Sequence, residues 1–276
     1  MVKPHEPGLL NALGKRAAPR LAPLLAHGAA AQAVRHLETY LAILQGKGSG
    51  TGWDLAAEVQ VALAAIRRPD AAIIDVGGGR GDWTAAMLAS LPLAQVWLLE
   101  PSARALYHLA ERGLPRTTVI PAAAGDQPGN ALLLAPRSEQ PIASLHRRRD
   151  SYFQQEQFDA QPVQVVTLDQ IIAAFHLDVV NFVKIDVEGH ELAVLQGARA
   201  ALAAGRIKAL AFEFGSGNLN ARTFFHDVWD ELQPLGFDLH RICPGGVLLP
   251  VAEYYEDLEH FRGVSNYLAM LHTEKS

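Results

Sequence analysis

Ala71-Ala-Ile-Ile-Asp-Val-Gly-Gly-Gly-Arg-Gly-Asp82 decides how this chain is read. Ile73, Ile74 and Val76 carry the β-branched signature of a short buried strand. Gly77, Gly78, Gly79 and Gly81 follow at once, and a backbone without Cβ atoms can turn sharply and come close to a ligand. The apolar run from Trp83 to Leu91 predicts the helix beyond. A strand, a glycine turn and a helix together aim backbone N–H groups at a nucleotide-like ligand.

Working outward, the 276 residues suffice for one large α/β domain with additions. Hydrophobic residues make up 49% and charged residues 19%, so a sizeable core can be buried. The net charge of −5, with no run of like charge, argues against a nucleic-acid partner. The single Cys243 excludes an internal disulfide framework, and a reduced cytoplasm is the expected location. No apolar stretch reaches membrane-spanning length, so no membrane span is expected. Met1 to Arg35 holds five Lys/Arg against the single acid Glu6, but Pro4, Pro7, Pro19 and Pro23 and the lack of a secretory core favour an added helical segment over a targeting peptide. The expected division is a helical extension over 1–50 and a ligand-binding domain over 51–276. Val34, Leu37, Leu41 and Leu44 have helical spacing in that extension. Gly46 to Gly52 reads as a linker, or as a glycine-hinged lid before a helix from Trp53 to Ile66.

Downstream, Gln95–Glu100 predicts a second strand ending in a carboxylate, 19 positions past Gly81. An acid at that place can accept hydrogen bonds from ribose hydroxyls. Pro101 and Ser102 open the next helix, and 117–121 is a third strand. Residues 136–162 read as an irregular insertion, flanked by 131–134 and 164–168, which can pair. Core strands follow at 179–186, 208–214, 236–242 and 265–271, with one helix from Glu191 to Ala204 and another from Arg222 to Leu232. Seven strands, mostly at βα spacing, predict a doubly wound, mostly parallel Rossmann-like sheet with an antiparallel C-terminal edge.

Asp82 breaks the dinucleotide G-x-G-x-x-G pattern, leaving G-x-G-x-G with Asp75 two residues before it. This set resembles the cofactor site of class I S-adenosylmethionine-dependent methyltransferases. That cofactor lacks a pyrophosphate and carries an amino group that Asp75 could hold. Val166-Thr-Leu-Asp169, Val183-Lys-Ile-Asp-Val-Glu-Gly-His-Glu-Leu192, Val194-Leu-Gln-Gly-Ala198, Ala211-Phe-Glu-Phe-Gly215 and Asn266-Tyr-Leu-Ala269 resemble the FkbM-type methyltransferases. The resemblance covers about residues 50–271. It implies S-adenosylmethionine as cofactor and O-methylation of a hydroxyl on a sugar, polyketide or related small molecule. The residues assigned to the cofactor are Asp75, Gly77, Gly79, Gly81, Glu100, Pro101, Ala124 and Asp186.

An alcohol acceptor needs a base, because its hydroxyl pKa lies far above 7. Three readings stand open for the acids near 186–191. Asp186, Glu188 or His190 is the base; or Asp186, Glu213 and Asn218 bind a divalent ion; or Glu188 and Glu191 cap the next helix. Arg147–Arg149 reads as a solvated loop or as a recognition element for an anionic acceptor. Trp53 and Trp97 are expected in the core, and Tyr254–Tyr255 is a candidate pocket wall. The rival functions are an NAD-dependent oxidoreductase and a non-catalytic assembly scaffold. Homo-oligomer formation is expected, if at all, through the N-terminal helices.

Overall fold

The computed structural model describes residues 9–52, 54–137, 142–149 and 151–272. Trp53, expected in the core, lies outside them. Two compact units result, residues 1–44 and 45–276. The first holds α1 (Leu9–Leu25), with Pro19 and Pro23 inside it, and α2 (Gly28–Leu44).

The second unit opens at Gln45, not beyond residue 50. Its first residues are tied to the sheet: Ser49 Oγ donates to the Ile242 carbonyl (3.0 Å), and Gly48 N–H to Ser265 Oγ (3.2 Å). Next come α3 (Leu55–Ala65), β1 (Ala72–Val76), α4 (Asp82–Ser90), β2 (Gln95–Leu99), α5 (Ala103–Arg112) and β3 (Thr117–Ile120). The insertion follows as β4 (Ala123–Ala124), β5 (Gly129–Pro136) and β6 (Phe158–Val166). Then the alternation resumes with α6 (Leu168–Ala174), β7 (Phe182–Ile185), α7 (Glu191–Gln196), α8 (Arg199–Ala203) and β8 (Ala209–Gly215). The chain closes with α9 (Ser216–Ala221), α10 (Phe225–Leu232), β9 (Phe237–Cys243), β10 (Val247–Val251) and β11 (Val264–Leu271).

The main sheet runs β10-β9-β11-β8-β7-β1-β2-β3. Strands β3, β2, β1, β7, β8 and β9 point the same way, while β11 and β10 run against them. Period-two alternation sorts the side chains. Ile74, Val76, Leu99, Val183 and Ile185 enter the core beneath α6, α7 and α10, and Ile73, Val96, Leu98 and Phe182 the core beneath α3 and α4. This is the expected doubly wound architecture, with β1 inside it between β7 and β2.

Four details depart from the expected pattern. An eighth strand, β10, pairs antiparallel with β9 at the edge, and β11 inserts between β8 and β9. Pro250 and the exposed Val247 hide β10 in the sequence, because an edge strand tolerates proline and shows no clean alternation. Strand β6 begins at Phe158, inside the region read as irregular, and its polar residues fit because only one of its faces is covered. The single helix expected over 191–204 is two. Gly197 runs so close to Gly125 that an added Cβ would sit 2.0 Å from its carbonyl oxygen. Asp169 then caps the second piece, accepting from Ala200 and Ala201 N–H at 3.0 and 2.8 Å. Last, α9 forms where a loop was expected, and Arg222, at φ +60°, separates it from α10.

Gly77 joins β1 to the glycine turn at φ +79°, and a Cβ there would lie 1.9 Å from the Asp186 carbonyl oxygen. Gly77→Ala is therefore expected to cost roughly 3 kcal/mol or to prevent folding. Gly113→Ala, at φ +57° with open space around it, should cost about 1 kcal/mol. Urea unfolding of both variants checks the difference.

Candidate active site

The turn after β1 is built from backbone hydrogen bonds. Gly77 N–H donates to the Leu99 carbonyl (2.8 Å), and Gly81 N–H closes the turn on Gly78 (2.8 Å). Glu100, 6% exposed, receives Gly79 N–H on one oxygen (2.8 Å) and Ser102 N–H on the other (2.7 Å). Asp75, 1% exposed, accepts from Thr84 Oγ1 at 2.5 Å. Burial raises the pKa of both carboxyls.

A cavity of about 770 Å³ begins at this turn and ends at the tips of β7 and β8. Asp75, Gly77, Gly79, Glu100, Pro101, Ala124 and Asp186 all line it. Gly81 is not among the lining residues; it caps α4, packed on Leu109 and Leu114. Leu55 and Glu58 of α3 form one wall, with Gly50 and Val264. The insertion forms another through Ser144, Leu145, Arg148 and Phe153.

The far end is acidic. Carboxylate oxygens of Asp186, Glu188 and Glu213 lie within 4.8 Å of one another, an arrangement that could hold a cation. Lys184 brings its ammonium 2.7 Å from Asp186 Oδ2 and 3.6 Å from Glu58 Oε2. Burial alone would lower the lysine pKa, but Asp186, Glu58, Asp75 and Glu213 outweigh it and hold the ammonium charged. Burial and then the Asp186 charge push Glu188 up to about 7, and the same two causes raise Glu213 well above the usual carboxylate range. Arg148 Nη1 donates to Glu188 Oε2, its Nη2 reaches Ser216 Oγ (3.0 Å), and its guanidinium lies 4.8 Å from the Phe153 ring centre.

Two candidate residues stand apart from this cluster. Asn218 is buried and fully engaged: its amide donates to Glu191 (3.0 Å), and its oxygen accepts from Gly215 N–H (2.8 Å). It shapes the loop where a metal ligand was considered, and Glu188 takes that place beside Asp186 and Glu213. Neither glutamate caps the helix through its side chain: Glu191 instead braces the loop before it, accepting from Gly189 N–H at 3.0 Å and from Val187 N–H at 3.3 Å. His190 lines the cavity, but its Nδ1 lies 3.0 Å from His146 Nε2. Burial and then His146 lower its pKa to about 4.

The three arginines divide, with Arg148 buried and Arg147 and Arg149 exposed. Trp97 is core, and Tyr254 bonds Glu259 at 2.9 Å, away from the cavity lining. Lys184, Glu58 and Thr84 were not singled out in the sequence, and Arg148 was read only as part of the Arg147–Arg149 run, not as a partner of Glu188. One signal was available for the first: a lysine inside an apolar strand, two residues from Asp186 and so on its side of the sheet, must be buried against partners.

These residues suit a cationic nucleoside. Each Glu100 oxygen accepts one N–H and keeps capacity for a ribose hydroxyl. Gly79 faces open space, and the acid end attracts positive charge.

Among solved structures, the chain is similar to a precorrin-6y C5,15-methyltransferase of Geobacter metallireducens (12% identity, TM-score 0.42, 78% of this chain and 87% of that one). It is also similar to an rRNA methylase of Streptococcus thermophilus (12%, 0.43, 78% and 95%) and to a SAM-dependent O-methyltransferase of Thermotoga maritima (14%, 0.42, 81% and 67%). None of the three carries a functional argument at these scores. Comparison with curated proteins gives no match. The methyltransferase FkbM domain family matches residues 75–239, well over half of the chain and the whole span from Asp75 to β9. The chain belongs to the FkbM methyltransferase family and is an S-adenosylmethionine-dependent methyltransferase.

Proposed function

We propose that the enzyme methylates a hydroxyl oxygen of a small molecule, with the acid end of the cavity as the transfer end. One observation carries this reading: a single cavity joins the glycine turn to a carboxylate, Glu188, held ready to take a proton. About 770 Å³ lies in the range of small-molecule sites. When bound, the cofactor supplies a methyl group already activated on a sulfonium. Glu100 would accept hydrogen bonds from the ribose hydroxyls, and Asp75, behind the turn, would hold the amino group directly or through water. Arg148 orients Glu188, and Glu188 removes the acceptor's hydroxyl proton as the new bond forms. Lys184 holds Asp186 beside it. His190 is the weaker base, since its pKa of about 4 gives it little proton affinity. The oxidoreductase alternative does not survive the family assignment.

A divalent cation is the second reading, supported by the spacing of Asp186, Glu188 and Glu213. Such an ion would lower the acceptor's pKa in place of a base.

For the first unit we propose self-association. Val34, Leu37, Leu41 and Leu44 of α2 follow a two-heptad a/d spacing and are 42 to 59% exposed, the seam by which a second copy pairs. No helix among the described residues is long and apolar enough to cross a membrane. A cytoplasmic location remains part of this proposal.

With an acceptor found by screening hydroxylated small molecules, Glu188→Gln should lower kcat about 10²- to 10³-fold and leave cofactor affinity within about twofold. A base must be deprotonated, so wild-type kcat should rise with pH through about 7 and then level. A limb near 4 would move the role to His190, and loss of turnover with a chelator would favour the cation. Light scattering should show Leu37→Glu with Leu41→Glu shifting the chain to monomer; an unchanged mass would end the self-association proposal.

A further inference from the structure

Glu58 belongs to α3, upstream of the segment that matches the family, yet it lines the cavity's acid end. Its Oε1 accepts from Asn266 Nδ2 of β11 at 3.2 Å, and its Oε2 lies 3.6 Å from the Lys184 ammonium. Asn266 is 8% exposed, and its Oδ1 has no hydrogen-bond partner among the described residues. Around Glu58 stand Lys184 and Asp186 from the β7 tip, Asp75 from β1 and Glu213 from β8. Counting Glu188, five carboxyl groups share this end with two fixed cations, Lys184 and Arg148. The site is built with more carboxyl groups than cations, so a further positive charge finds acceptors there.

The cofactor and its spent form differ at one place. S-adenosylmethionine carries a sulfonium cation, and S-adenosylhomocysteine carries a neutral thioether at the same sulfur. Their nucleoside and amino-acid ends are identical. A pocket short of positive charge distinguishes them, because attraction between opposite charges is strong where water is sparse. We propose that Glu58 is a specificity-determining residue that makes this site hold the sulfonium cofactor more tightly than its thioether product, so that loss of the methyl group loosens the product. The inference rests on the proposed reading of the acid end as the transfer end.

A positive charge brought among these carboxyls also lowers their proton affinity, so protons leave when the sulfonium binds. Both ligands share the amino-acid end, so the difference between them reports the sulfur. Titration calorimetry on the full chain, in two buffers of different ionisation enthalpy, reads affinity and proton release together. S-adenosylmethionine should bind about tenfold more tightly than S-adenosylhomocysteine and release more protons. Glu58→Gln keeps an acceptor for Asn266 and removes the charge. It should lower S-adenosylmethionine affinity about fivefold or more and change S-adenosylhomocysteine affinity less than about twofold.

Equal affinities and equal proton release in the wild type overturn the proposal while leaving the cofactor site standing. So does a Glu58→Gln variant that weakens both ligands alike, which marks a structural role. Should that variant fail to fold, the wild-type comparison still decides. If neither ligand binds, the reading of the cavity falls, and this inference with it.

Discussion

The acid end of the cavity is held together by one ammonium. Lys184 sits in register with Asp75 on the neighbouring strand, and its side chain runs up the same face toward Asp186. Glu58 approaches from α3 and Glu213 from β8. Packing these carboxylates together with no cation among them would expose each to its neighbours' repulsion in a site that water screens poorly. With Lys184 charged between them, four elements converge on one point. Asp75 links that point to the glycine turn through Thr84 and α4.

A second cation works from the other side. Arg148 comes from the insertion between β5 and β6, pairs with Glu188 and is backed by Phe153. Ser144 Oγ donates to the Glu188 carbonyl (2.9 Å), and His146 meets His190, so the insertion is fastened to the β7–α7 loop at three places. One segment thus builds the acceptor wall and positions the proposed base.

Much of this was legible in the sequence, because local rules governed it. Ile73, Ile74 and Val76 before four glycines announce an interior strand and a tight turn, and Glu100 ends the next strand beside that turn. The Asp186-to-Glu191 loop was recognisable as an acid-rich loop at the end of a core strand. The division of labour inside it was not, since capping and pairing both suit a glutamate there. Only geometry gives the bracing of the loop backbone to Glu191 and the Arg148 pair to Glu188. Glu58 and the pairing of Arg148 with Glu188 were out of reach for another reason: both enter the site through tertiary packing, from segments that read as a helix and an irregular insertion. The edge strand β10 was hidden because exposure removes the alternation that marks a half-buried strand.

Replacing Lys184 tests the central claim most directly. Lys184→Met keeps the length of the side chain and removes its charge. Urea unfolding across a pH series should show the variant about 3 kcal/mol less stable than wild type at neutral pH. Carboxyls whose folded pKa is raised lend stability at low pH and lose it as pH rises through the folded pKa. The deficit should therefore grow as pH rises through the raised pKa values of Glu58, Asp75 and Glu213, the carboxyls that Lys184 faces, and shrink on the acid side. A Lys184→Met protein within about 0.5 kcal/mol of wild type, with the same pH dependence, would show that the acid end does not rest on this ammonium.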